Sequence, residues 1–186
     1  MYPIAKQLFD QVHSLVYLYK EKPFRLSSGK LSNHYFNCKK IVFHPQFLMM
    51  ALQSICEELL PSYNIPTPEA VGGLTLGADP ISYGISFYYW QKGFLCYPFV
   101  VRKEPKSHGT ERWIEGEIES VREVLVVDDV VTTGSSTLKA IEAFRKSGKI
   151  VRYAVCLIDR EEEGRENLKK EGVELLSLWK KSDFIS

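Results

Sequence analysis

The stretch VLVVDDVVTTGSST, residues 124–137, decides the fold. Residues 124–127 are an apolar, valine-rich run of strand length. Leu138, Ile141 and Phe144 follow at helical spacing, and Ser147-Gly148 marks a helix stop. A strand leading through a polar turn into a helix is the unit of a parallel α/β sheet, whose ligands gather beyond the carboxyl ends of the strands. The pattern predicts that residues 132–137 form a loop entering a helix N-terminus, where free N–H groups and the helix dipole favour a phosphate. Asp128 and Asp129 would repel a bare phosphate. They suit a ligand that also carries a vicinal diol, because ionised acids accept hydrogen bonds from hydroxyls and can help hold Mg²⁺. A ribose 5-phosphate has that layout. The same residues also fit a plainer reading, in which the two acids begin a turn and Thr133 or Ser135 caps a helix. The loop has no lysine for a Walker-type cradle and no GxGxxG.

Around this stretch, apolar runs at 70–74, 95–101, 151–158 and 174–178 alternate with helical segments near 79–92, 135–147 and 162–171. That alternation predicts a central parallel sheet flanked by helices. Upstream, Ile4, Leu8, Val12, Leu15, Val16 and Tyr19 predict an amphipathic helix over 3–20, ended by Pro23. Residues 24–43 read as turns or short strands near a ligand. Pro45 then opens a helix with Leu48, Leu52, Ile55 and Leu59 on one face, ending before Pro61. We expect one domain over 1–186, with residues 1–43 forming a small hood over the edge of the sheet.

Composition is that of an ordinary globular chain, 45% hydrophobic and 25% charged. A net charge of +1 gives no global reason to expect nucleic acid or a membrane surface as partner, so any polyanion site is local. Cys38, Cys56, Cys96 and Cys156 are widely spaced and signal neither zinc nor a disulfide framework. We expect reduced thiols in a cytoplasmic protein, without a signal peptide or spanning segment.

A second charged stretch is RKEPKSHG, residues 102–109. Alone it fits a solvated loop, diluted by Glu104, Glu111 and Glu115, or a lid that brings cations over a site. The 124–137 stretch resembles the phosphoribosyl-pyrophosphate (PRPP) motif of type I phosphoribosyltransferases, and RKEPKSHG resembles the mobile catalytic loop of the orotate phosphoribosyltransferases. FRLSSGKLSNHYFN (24–37) is similar to that family's N-terminal substrate segment, and VGGLTLGADPI (71–81) to its glycine-rich turn.

The resemblance implies the type I phosphoribosyltransferase fold and transfer of ribose 5-phosphate from PRPP to orotate. Asp128 and Asp129 would hold the ribose hydroxyls and steady the developing cation, Thr132, Thr133, Gly134, Ser135 and Ser136 would bind the 5-phosphate, and Val130 and Val131 would also contact PRPP. Arg102, Lys103, Lys106 and His108 would engage pyrophosphate, Lys106 and His108 as catalytic groups. Tyr35, Phe36, Thr132 and Arg160 would contact orotate. Mg²⁺ would be held mainly by PRPP, near Asp128 and Asp129. The family pattern further implies a homodimer whose 102–109 loop reaches the neighbouring site. The chain departs from some members at Ser27, where they carry lysine, and at Thr75 and Leu76, where they carry Tyr-Lys. Two rivals remain at this stage: a phosphoribosyltransferase for another base, and a PRPP-binding regulator without turnover.

Overall fold

The computed structural model describes residues 1–25, 31–104 and 113–185. The chain opens with α1 (Pro3–Val16), which buries Ala5, Leu8, Val12 and Val16. It then turns into strand β1 (Tyr17–Arg25), antiparallel to β2 (Leu31–Phe36). The helix expected to reach residue 20 therefore stops at Val16, and Leu15 and Tyr19 are exposed. Tyr17, Leu18 and Tyr19 pair with Phe36, Tyr35 and His34. Cross-strand pairing of strand-prone residues overrides the helical spacing. Pro23 ends no helix; it lies inside β1, where the register shifts between Tyr19 and Phe24.

A short helix α2 (Lys39–Val42) leads to α3 (Pro45–Ser54). The latter continues through a π turn, Ile55–Leu59, into α4 (Leu60–Ser62). The helical path thus runs just past Pro61 rather than ending before it; the widened turn precedes the ring that has no N–H to give. Glu58 in that turn accepts from the N–H groups of Ile4 (2.8 Å) and Ala5 (3.3 Å), holding the start of α1.

The main sheet has β3 (Ala70–Leu74), β4 (Tyr97–Val101), β5 (Ile114–Glu115), β6 (Leu125–Val131), β7 (Tyr153–Asp159) and β8 (Glu174–Lys180), in the order β5-β4-β3-β6-β7-β8. Only β5 runs antiparallel to its neighbour. Leu125 and Val127 pack into the core shared with α1, α3 and α5 (Asp79–Gln91). Val126 packs on the other side with Phe144 of α6 (Ser135–Lys146) and Leu168 of α7 (Gly164–Lys170). The chain closes with α8 (Lys181–Ile185), whose Phe184 packs on Phe9 and Trp179. The alternating strands and helices were each anticipated to within a few residues. All four cysteines are buried and free. No helix among the described residues is long and apolar enough to cross a membrane.

Candidate active site

The β6 strand is longer than its apolar run, because the pairing continues through Asp128, Val130 and Val131 to β7. The two acids therefore lie within a central strand, two residues short of its end, rather than after it. Successive strand residues face opposite sides, so the pair is split. Asp128 is buried toward α6, where Thr137 donates to it from Oγ1 at 3.0 Å and the Asp129 N–H at 3.0 Å. Asp129 faces the turn after β3: a Cβ on Gly77 would lie 2.6 Å from its Oδ1. Burial pushes the Asp128 carboxyl up, and the neighbouring Asp129 charge adds to it. Burial also raises Asp129, against the opposing Val130 N–H and the charge of Lys39. Two desolvated acids with mostly neutral donors attract hydroxyls and cations.

The loop after β6 is held from behind. Gly164 N–H donates to the Thr132 carbonyl at 3.0 Å, and Asn167 Nδ2 to that of Thr133 at 3.0 Å. With those carbonyls turned toward α7, the first N–H groups of α6 are left for an anion. Gly134 caps α6 with φ +79°, and a Cβ there would meet Leu168 at 2.5 Å. Ser135 and Ser136 are exposed, and a cavity of about 420 Å³ opens along residues 130–137. Thr137, expected in the loop, is buried inside α6 and serves Asp128 instead.

Residues 75–79 close the other side. The hydroxyl of Thr75 donates to Asp79 Oδ2 at 2.6 Å, while Asp79 Oδ1 is buried without a hydrogen-bond partner among the described residues. Gly73 permits the close packing of β3 on β6, since a Cβ would stand 2.1 Å from the Val127 carbonyl oxygen. Asp79, Thr137 and Gly77 were not singled out from sequence; their roles depend on contacts between segments.

Arg160 follows β7, and its N–H donates to the Val131 carbonyl at 3.0 Å, which sets it beside Thr132. Its side chain is buried. Nη2 donates to Ser32 Oγ at 3.0 Å and the His34 carbonyl at 3.3 Å; the guanidinium lies 5.5 Å from the Phe36 ring centre, and Nε pairs with Glu162 at 3.2 Å. This arginine fastens β2 to the carboxyl end of the sheet. Phe36 lies under it, whereas Tyr35 is on the other side of β2, stacked on Phe24 with ring centres 5.1 Å apart.

Asp128, Asp129, the 130–136 segment, Thr132 and Arg160 are thus gathered at one end of the sheet. Arg102 follows β4 with its guanidinium bound to Glu115 at 2.6 Å, and Lys103 is exposed on the α6 side. Lys106, His108 and Gly109 of the expected loop, and Ser27, lie outside the described residues. No group of three or more acids, histidines and cysteines among the described residues could hold a metal unaided.

The chain is 50% identical over 178 residues to the orotate phosphoribosyltransferase of Leptospira biflexa, covering 96% of each. It is 48% identical over 165 residues to that of Aquifex aeolicus, covering 89% of this chain and 88% of the relative. A crystal structure of the Mycobacterium tuberculosis orotate phosphoribosyltransferase with PRPP superposes with a TM-score of 0.76 at 28% identity, over 99% of this chain and 100% of that one. No family model matches.

Proposed function

The chain belongs to the orotate phosphoribosyltransferase family, and on that premise we propose how its own residues transfer ribose 5-phosphate from PRPP to orotate, giving orotidine 5′-monophosphate and pyrophosphate. The observation that carries the reading is the pair Asp128 and Asp129 in the second half of β6, just before an N–H-rich turn. Residues 130–136 bind the 5-phosphate through the start of α6. The two carboxylates accept the ribose hydroxyls and face the positive charge that grows on the sugar as the anomeric C–O bond breaks. Orotate's deprotonated ring nitrogen is the nucleophile, so no side chain forms a covalent bond.

Thr132 and Arg160 border the pyrimidine, with the Arg160 guanidinium complementing an acidic base. Phe36 shapes that side through its packing on Arg160, and Tyr35 enters through its backbone. Arg102, Lys103, Lys106 and His108 stabilise the departing pyrophosphate. Two desolvated acids suit a divalent cation whose other ligands come from PRPP, and Asp128 and Asp129 are the residues that would border Mg²⁺; its chemistry is neutralisation of pyrophosphate oxygens. Residues 1–43 form the hood, and the protein works in the cytoplasm.

We further read the enzyme as a homodimer with residues 102–109 serving the neighbouring site. Supporting this, Tyr83, Phe87 and Trp90 line one exposed face of α5, the helix that begins at the Asp129 turn. Mixing Lys106→Ala with Asp129→Ala chains should restore about a quarter of wild-type activity, since about half the dimers are mixed and each holds one whole site. Mixtures as inactive as their parents, with exchange confirmed, would place the loop over its own chain. The reaction itself is tested with PRPP and Mg²⁺ offered orotate, uracil, adenine and hypoxanthine separately. Orotate alone should be consumed efficiently; equal turnover of a purine would overturn the base assignment.

A further inference from the structure

A groove of about 580 Å³, larger than the cavity of about 420 Å³ along residues 130–137, lies between α6 and the β5 region, within the size range of small-molecule sites, about 300–1,000 Å³. Its wall includes Trp113, 44% exposed, and Ile118. An aromatic face left open at the edge of an apolar wall is a surface on which a flat ring can stack.

The rim is cationic. Lys103, Lys139, Lys146 and Lys149 line it against two acids, Glu119 and Glu142. One lysine is spoken for by an acid, since Lys146 pairs with Glu142 at 2.6 Å, and Lys149 donates to the Val121 carbonyl at 2.8 Å. Lys103 and Lys139 have neither an ion-pair nor a hydrogen-bond partner among the described residues. Lys103 belongs to the loop that serves pyrophosphate, so the groove's own cations are Lys139, Lys146 and Lys149; three ammonium groups against two acids at the mouth of a partly apolar groove favour a ligand with an anionic end and a flat, uncharged end. Inorganic phosphate would leave most of the volume and the indole unused.

We propose that this groove binds a nucleoside phosphate at a second site, separate from the PRPP and orotate pocket, with the base against Trp113 and the phosphate at the lysine rim. Lys139 connects the two places: one turn into α6, it also borders the cavity along residues 130–137. A phosphate in the groove draws on a cation that otherwise faces the substrate's phosphate, which makes the second ligand an effector of PRPP affinity. This last step rests on the assignment of that cavity to the 5-phosphate; the groove itself does not.

The test uses the whole protein with saturating PRPP and Mg²⁺ and no orotate, so that the substrate cavity is filled. Uridine 5′-monophosphate is titrated against tryptophan fluorescence and by calorimetry, with inorganic phosphate as a second arm. The nucleotide should bind saturably, at least about tenfold more tightly than phosphate. Lys146→Glu, at a side chain 72% exposed, leaves Glu142 unpaired and turns the rim net negative, so it should weaken the nucleotide about tenfold while orotate turnover stays at the wild-type rate. Trp113→Phe should remove the fluorescence response, because Trp90 and Trp179 lie elsewhere. Loss of nucleotide binding once PRPP saturates, phosphate binding as tightly as the nucleotide, or an unchanged affinity in Lys146→Glu would each overturn the second site. Failure of orotate turnover in the wild type would instead count against the proposed reaction.

Discussion

Glu57 and the Asp128–Asp129 pair are carboxylates treated in opposite ways. Glu57, in the π turn, accepts from Lys92 at 2.6 Å, from the Tyr88 hydroxyl and from Gln53 at 2.9 Å. These donors, Lys92 first, hold its carboxyl down to about 2. At the carboxyl end of β6, burial dominates and pushes both acids up, because their donors are backbone N–H groups and one threonine hydroxyl. One site is satisfied within the chain, and the other is completed only by something that brings hydroxyls or positive charge. The contrast is what supports reading Glu57 as structural and the pair as the place where a ligand binds.

The largest expected effect lies at the uncompensated site. On the proposed reading, Asp129→Asn removes a preorganised charge that faces the developing cation while keeping the side chain's size, so turnover should fall on the order of 10²-fold with the fold intact. Near-normal kcat in a folded variant would reduce Asp129 to a turn-former and erase the contrast with Glu57.

A smaller effect of the opposite sense is expected in stability. Asp128 is raised on folding, so its contribution is fully present below the ordinary carboxylate range and is lost as pH rises toward its folded value. At pH 8 the ionised group is a burial cost in the ligand-free protein. Asp128→Asn should therefore raise Tm by about 2–4 °C at pH 8, for about 1 kcal/mol recovered, and by nothing measurable near pH 3. Activity should fall in the same variant. A Tm that drops at pH 8 would show that the Thr137 and Asp129 hydrogen bonds outweigh the buried charge.

The acid pair was legible in the sequence because its neighbours are contiguous: strand, acids, turn and helix start occupy fourteen residues, and each local preference points to the same unit. What was not legible depends on distant partners. Thr137 looked like a loop hydroxyl until α6 was seen to begin at Ser135 and turn it toward Asp128. Asp79 and Gly77 matter through a turn folded onto β6 from another segment. Arg160 was carried by resemblance alone, and its contacts to Ser32 and His34 span more than 120 residues of chain. The overlong first helix is the same lesson in reverse, since Tyr19 fits the helical period but pairs with His34 of β2.

The smallest effect is expected at Glu57, and it sharpens the comparison by its smallness. Three donors converge on this carboxylate, yet the side chain is 35% exposed and the Lys92 side chain 47%, so solvent screens the attraction and the pair contributes little. Because Glu57 is depressed on folding, that contribution is present above the usual glutamate range and is lost as pH falls from the ordinary value of 4.5 to about 2. Glu57→Gln should thus lower stability slightly at pH 7, match the wild type near pH 2, and leave kcat and the KM for PRPP unchanged. Urea denaturation at the two pH values, with steady-state kinetics at pH 7, makes the measurement. A kinetic change as large as that of Asp129→Asn would mean that a well-compensated carboxylate can serve the reaction as directly as a bare one, and the distinction drawn between the two sites would not hold.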